Sequence, residues 1–164
     1  MSRIPGTGEL RQHDNGVELL LQRQFRADIE DVWASVTESS RTEQWIGSWE
    51  GETGEGAVLT FTMTAEDSAE PEEVTILECR EPHRLLTRFE SEAGTWYLGL
   101  DLQQIEDVTT LTFSHVLQQG EDVTQVGPGW EYYLDRLVAV RSESPMPDWD
   151  EYYPALIGYY ADLE

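Results

Sequence analysis

Five stretches in the middle of the chain alternate with a period of two, and the separators between them are short. Leu59, Phe61 and Met63 alternate with Thr60, Thr62 and Thr64, and Val74, Ile76 and Glu78 alternate with Thr75, Leu77 and Cys79. Leu85 and Phe89 share a face with Thr87 between them. Trp96, Leu98, Leu100 and Leu102 lie opposite Tyr97, Gly99, Asp101 and Gln103, and Leu111, Phe113, His115 and Leu117 lie opposite Thr110, Thr112, Ser114 and Val116. Successive side chains of a strand point to opposite faces, so each stretch reads as a strand with one buried side. The separators are turn-like: Gly54-Glu55-Gly56, the acidic run from Glu66 to Glu73, Glu81-Pro82-His83, Ala93-Gly94 and Glu106-Asp107. Such short connections join antiparallel neighbours, so this region predicts an antiparallel meander.

Upstream, Val17, Leu19, Leu21, Arg23 and Phe25 fall on one face of a further strand. Asp28 is placed to cap a helix whose Ile29, Val32, Trp33 and Val36 form one apolar stripe. Ser40 with Glu43 reads as a capping box opening a second short helix that ends near Trp45 and Ile46. Downstream, Gly127-Pro128-Gly129 is expected to break the chain before the strongest helix, where Trp130, Tyr133, Leu134, Leu137 and Val138 form a stripe wide enough to lie along a sheet. Asp148 with Glu151 opens a Tyr-rich tail that Pro154 splits into two short pieces or starts as a helix. The class is therefore α+β. One domain over residues 1–164 is expected, with 1–15 loosely ordered and 148–164 a C-terminal helical extension.

Charge narrows the partners. Ten Lys and Arg against 33 Asp and Glu leave a net charge of −23, a field that repels a phosphate backbone or an anionic membrane. Nucleic acid and membrane insertion are thus excluded as expectations. The acid is read as a solvated surface, and the run Glu66–Glu73 as a solvated turn. Cys79 has no partner for an internal disulfide, and no apolar run approaches a membrane span or a signal peptide, so a cytoplasmic address is expected.

Several motifs carry a family resemblance. Arg23-x-Phe25, Asp28-x-x-x-Val32-Trp33 and Trp45 stand in order before Gly54-x-Gly56 and Glu78-x-x-x-Pro82-x-x-Leu85. Thr110-Leu111-Thr112-Phe113-Ser114-His115 and Gly129-Trp130 with Leu134 and Leu137 complete the series. Over about residues 17–140 the chain resembles the heat-shock-chaperone ATPase activator homologues of the START-like (SRPBCC, Bet v-like, polyketide-cyclase-like) superfamily. The resemblance implies a helix-grip fold: a curved antiparallel sheet wrapped around a long C-terminal helix, with two short helices after strand one and a cavity between sheet and helix.

The residues expected to line that cavity are Trp45, Phe61, Met63, Phe89, Trp96, Leu98, Phe113, His115, Trp130, Tyr133 and Leu134. His115 shares parity with Phe113 and Leu117; there it orients a ligand, acts as a general base, or is a buried histidine satisfied by its neighbours. Ser114 faces the other way, which leaves no Ser–His pair. Gly54-x-Gly56 leads into a strand rather than a helix, so a phosphate loop is not expected. His13, His83 and His115 lack paired metal-ligand spacing, and neither metal nor cofactor is expected. Cys79 reads as a small buried apolar residue, and Glu78 as a surface acid if Leu77 and Cys79 face inward. The leading expectation is non-catalytic binding of a small hydrophobic or amphipathic ligand. A co-chaperone regulating a heat-shock-chaperone ATPase stands second, weakened by the lack of a separate activator domain in so short a chain. A cyclase- or hydrolase-like enzyme using His115 stands third.

Overall fold

A computed structural model describes residues 5–14, 16–64, 70–91 and 94–163. Its strands are β1 (Glu9–His13), β2 (Gly16–Phe25), β3 (Gly47–Gly51), β4 (Val58–Met63), β5 (Glu72–Arg80), β6 (Arg84–Ser91), β7 (Gly94–Ile105) and β8 (Val108–Leu117). They form one curved sheet in the order β1-β2-β8-β7-β6-β5-β4-β3, with every pairing antiparallel. Helices α1 (Ile29–Thr37) and α2 (Ser39–Thr42) carry the chain from β2 to the far edge strand β3. The long helix α3 (Val123–Ser142) follows β8, and a 3-10 turn (Trp149–Glu151) and α4 (Ile157–Ala161) close the chain. This is the α+β class expected from the alternation and the closing stripe, in the helix-grip arrangement that the family resemblance implies.

Register aligns the inward residues into rows. Ile76, Thr87, Leu98, His115 and Leu19 are successive partners across β5, β6, β7, β8 and β2. Cys79, Leu85, Leu100, Phe113 and Leu21 form the next row. A bulge between Ile76 and Glu78 resolves the ambiguous parity of β5. The extra residue, Leu77, turns outward and is 37% exposed, so Val74, Ile76 and Cys79 can all face inward while Glu78 pairs with Arg80 and Arg84.

Four local expectations are corrected. The segment 1–15 is not loose throughout, because Glu9–His13 pairs along β2 and satisfies that strand's outer backbone groups. Asp28 stands at the N-cap of α1 but its side chain does not bond the helix; Gln104 from β7 instead accepts from Ile29 N–H at 2.9 Å and donates to Asp28 Oδ1 at 3.4 Å. The second helix begins at Ser39, and Ser39 Oγ holds β3 through both backbone groups of Trp49, each at 2.8 Å. The acidic run divides: residues 65–69 lie outside the described residues, whereas Glu72 and Glu73 belong to β5 opposite Phe61 and Thr60.

The largest departure is the start of α3. Gly127-Pro128-Gly129 lies inside the helix, which begins where the Asp122 side chain accepts from Thr124 N–H at 2.9 Å and Val123 is fully buried. Pro128 removes a backbone donor, but tertiary packing outweighs local propensity here. Gly127 is a contact residue: a Cβ added there would sit 2.5 Å from the Tyr160 ring.

Both ends of the chain are tied to α3 through one carboxylate. Glu131 is 0% exposed and accepts from Thr7 N–H and Thr7 Oγ1–H, both at 2.6 Å, from Gly8 N–H at 3.2 Å, from Tyr160 O–H at 2.6 Å and from Arg23 at 2.8 Å. Burial alone would push this carboxyl up, but the donors from Thr7, Tyr160 and Arg23 hold it below its ordinary value. Arg23 also donates to Asp135 at 2.9 Å, and Asp135 accepts from Tyr152 O–H at 2.7 Å. The Tyr-rich tail thus packs Tyr152, Leu156 and Tyr160 into the core as two short pieces either side of Pro154.

Candidate functional site

The apolar core divides into two clusters. One gathers under α3 around Leu21, Leu102, Leu111, Leu134 and Leu137, while Leu59, Phe61, Val74 and Ile76 form a second on β4 and β5. Between them lies a cavity of about 880 Å³. Strands β4 to β8 form its floor, α3 roofs one side with Trp130, Tyr133 and Leu134, and Trp33, Val36, Trp45 and Ile46 close the end near α1 and α2. That volume lies within the range of about 300–1,000 Å³ common for small-molecule sites.

Ten of the residues expected at the cavity wall are there: Trp45, Phe61, Met63, Phe89, Trp96, Leu98, Phe113, Trp130, Tyr133 and Leu134. Sequence reasoning missed others that share their parity, among them Leu59, Val74, Ile76, Leu85, Thr87 and Leu100, and the alternation itself was the signal that points to them. Cys79 also borders the space; burial raises its thiol above the ordinary value, with Glu81 and Glu55 adding to the rise, so it is a weak nucleophile. Thr53, Gly54, Glu38, Glu70, Glu72, Glu81 and Gln125 contribute a polar rim to the lining. No sequence period marks that rim, because it collects turn, strand-end and helix-end residues from separate parts of the chain.

The tryptophans are oriented by their indole donors. Trp45 Nε1–H donates to Ser35 O and Trp49 Nε1–H to Thr37 O, each at 2.9 Å, while Trp130 Nε1–H donates to His115 Nδ1 at 3.0 Å. With these donors spent on the walls, what the three rings present to the cavity is carbon. Trp130 further packs against Phe113 at 4.5 Å and Trp96 at 6.1 Å between ring centroids.

His115 is the exception among the expected residues. It is 0% exposed and stands behind Trp96, with ring centroids 4.9 Å apart, and behind Trp130, so it does not border the cavity. Strand parity gave its side of the sheet correctly, but α3 lays Trp130 across it. Because Nδ1 accepts from Trp130, the neutral ring carries its proton on Nε2. Nε2 lies 3.3 Å from Glu121 Oε2 but off the line of a hydrogen bond. Burial lowers the His115 pKa, with Glu121 acting in the opposite sense. Both ring nitrogens are turned to protein groups, so this histidine offers no atom to a molecule in the cavity.

Solved structures share this fold across nearly the whole chain. CalU16 from Micromonospora echinospora matches with a TM-score of 0.78 at 23% identity, covering 97% of this chain and 96% of its own. The Enterococcus faecalis protein EF2215 matches with a TM-score of 0.71 at 20% identity, covering 96% and 92%. DynU16, from the dynemicin biosynthetic locus, has a TM-score of 0.67 at 20% identity and covers 83% of this chain but 51% of its own length. No curated protein matches the sequence. The family model for activator of Hsp90 ATPase homolog 1-like protein matches residues 26–141, which take in everything from the end of β2 to the last turn of α3. With most of its length matched, the chain belongs to this START-like family.

Proposed function

We propose that this protein binds a small hydrophobic or amphipathic molecule between the sheet and α3, without covalent chemistry. The observation that carries the reading is the cavity of about 880 Å³ that divides the core. A space of this size lined by apolar rings leaves that surface facing water, and the apolar body of a ligand would remove the cost. The indole donors of Trp45, Trp49 and Trp130 are spent on the walls and the one nearby histidine is shielded, so contact with apolar surface is the main chemistry on offer.

Fluorescence titration with the uncharged probe N-phenyl-1-naphthylamine tests this. Saturable enhancement with quenching of the wall tryptophans is expected. Thr87→Phe and, separately, Leu100→Phe each place an extra ring in the space and should weaken binding at least about tenfold while the urea midpoint stays near that of the parent. Absence of saturable uptake by the parent chain would remove the reading. A role in regulating a chaperone ATPase, which the family name suggests, predicts instead capture of the chaperone by a chain whose cavity has been filled in this way.

A further inference from the structure

Among the described residues, none that borders the cavity carries a positive charge. The ten basic residues of the chain are all arginines, and nine of them lie among the described residues. Eight of those nine stand within ion-pair distance of a carboxylate, including Arg84 with Glu78 and Arg141 with Asp31. The ninth, Arg136, donates to Trp45 O at 2.9 Å and to the Tyr132 hydroxyl oxygen at 3.3 Å. None of the nine borders the cavity. An entering carboxylate or phosphate would therefore lose its water and find no cation in exchange, which strongly disfavours its burial.

The rim has the opposite character. Glu38 from the α1–α2 junction, Glu70 ahead of β5 and Glu81 after it all border the cavity, and none of the described arginines pairs with them. Carboxylates at the edge of a low-dielectric space attract an opposite charge more strongly than they would in open water. Resting on the ligand-binding reading, we infer that the cavity selects cationic amphiphiles: molecules with a bulky apolar body and an amine or quaternary ammonium group that stays at the rim. Anionic amphiphiles of the same body, such as fatty acids, are refused.

The test is displacement of bound N-phenyl-1-naphthylamine by two ligands with one tail, dodecyltrimethylammonium and dodecanoate, at neutral pH and low salt. The ammonium compound is expected to displace the probe at a concentration at least about tenfold lower, with the ratio shrinking in 0.5 M NaCl as screening sets in. The variant Glu38→Gln/Glu70→Gln/Glu81→Gln should collapse the ratio. Glu9→Gln/Glu30→Gln/Asp107→Asn, which removes the same charge from positions away from the cavity, should preserve most of it. Equal displacement by dodecanoate overturns the inference while leaving the binding cavity intact, and equal collapse in the remote variant assigns the preference to the net charge and overturns it too. A parent chain that takes up no naphthylamine at all sinks the ligand cavity and this selectivity with it.

Discussion

Glu131→Gln is the substitution whose consequence can be worked most closely. Five donors converge on the two carboxylate oxygens: Thr7 Oγ1–H and Arg23 on Oε1, and Thr7 N–H, Gly8 N–H and Tyr160 O–H on Oε2. A glutamine supplies one oxygen. Turned toward Thr7 N–H and Gly8 N–H, it places its amide nitrogen against Arg23; turned the other way, it opposes two backbone donors. The first arrangement is cheaper, because Thr7 Oγ1 can rotate to accept and Arg23 keeps Asp135. One charge-assisted bond is then lost outright and three are weakened, at a net cost of about 3 kcal/mol, since hydrogen bonds to charged groups contribute roughly 1.5–3 kcal/mol each. For a domain of this size the midpoint of thermal unfolding should fall by about 6–12 °C.

The pH dependence follows from the sign of the shift. The folded carboxyl titrates below its ordinary value, so its contribution is fully present above about pH 4.3 and is lost as pH falls through the folded value. Urea titrations from pH 7 down to 3.5 should show the gap between parent and variant closing at the acid end. Limited proteolysis at neutral pH should also release the variant's two termini earlier, since Thr7 and Tyr160 share this anchor. A variant within about 0.5 kcal/mol of the parent at pH 7, or a gap that stays constant with pH, would refute the assignment of Glu131 as the ionised tie between the two ends.

The two neighbouring helix glycines should respond with opposite signs: Gly127→Ala forces a Cβ into the Tyr160 ring and should cost about 1–3 kcal/mol, whereas Gly129→Ala meets nothing within 4 Å and should stabilise α3 by about 0.5–1 kcal/mol, both read from urea midpoints. Leu134→Asp, at a position 1% exposed on the sheet-facing stripe, should cost at least about 3 kcal/mol, and a normal midpoint would show the stripe lies on the wrong face. His115→Leu removes the acceptor of Trp130 Nε1–H and should lower stability by about 1–3 kcal/mol. Its affinity for naphthylamine per folded molecule should not change, and a selective loss of affinity would return His115 to the cavity wall.

The sequence by itself determined which face of each strand is buried, because alternation is a property of neighbouring residues and needs no knowledge of what lies opposite. Leu98, Phe113 and Phe89 point inward whatever packs on them, and the stripe through Trp130 and Leu134 had to lie on an apolar surface. Nine cavity residues were legible for that reason, while Trp45 lies on neither a strand nor the stripe. Only the tertiary structure decided what covers each inward residue: parity gave His115 and Phe113 the same status, yet Trp130 shields one and leaves the other at the cavity. It also decided where local signals yield. Gly127-Pro128-Gly129 looks like a break until Tyr160, 33 positions later, is seen against the glycine, and residues 5–14 look loose until Glu131 and β2 receive them. Those contacts join residues far apart in the chain, so no window of sequence contains both partners, and their combined packing energy exceeds the propensities that the window reports.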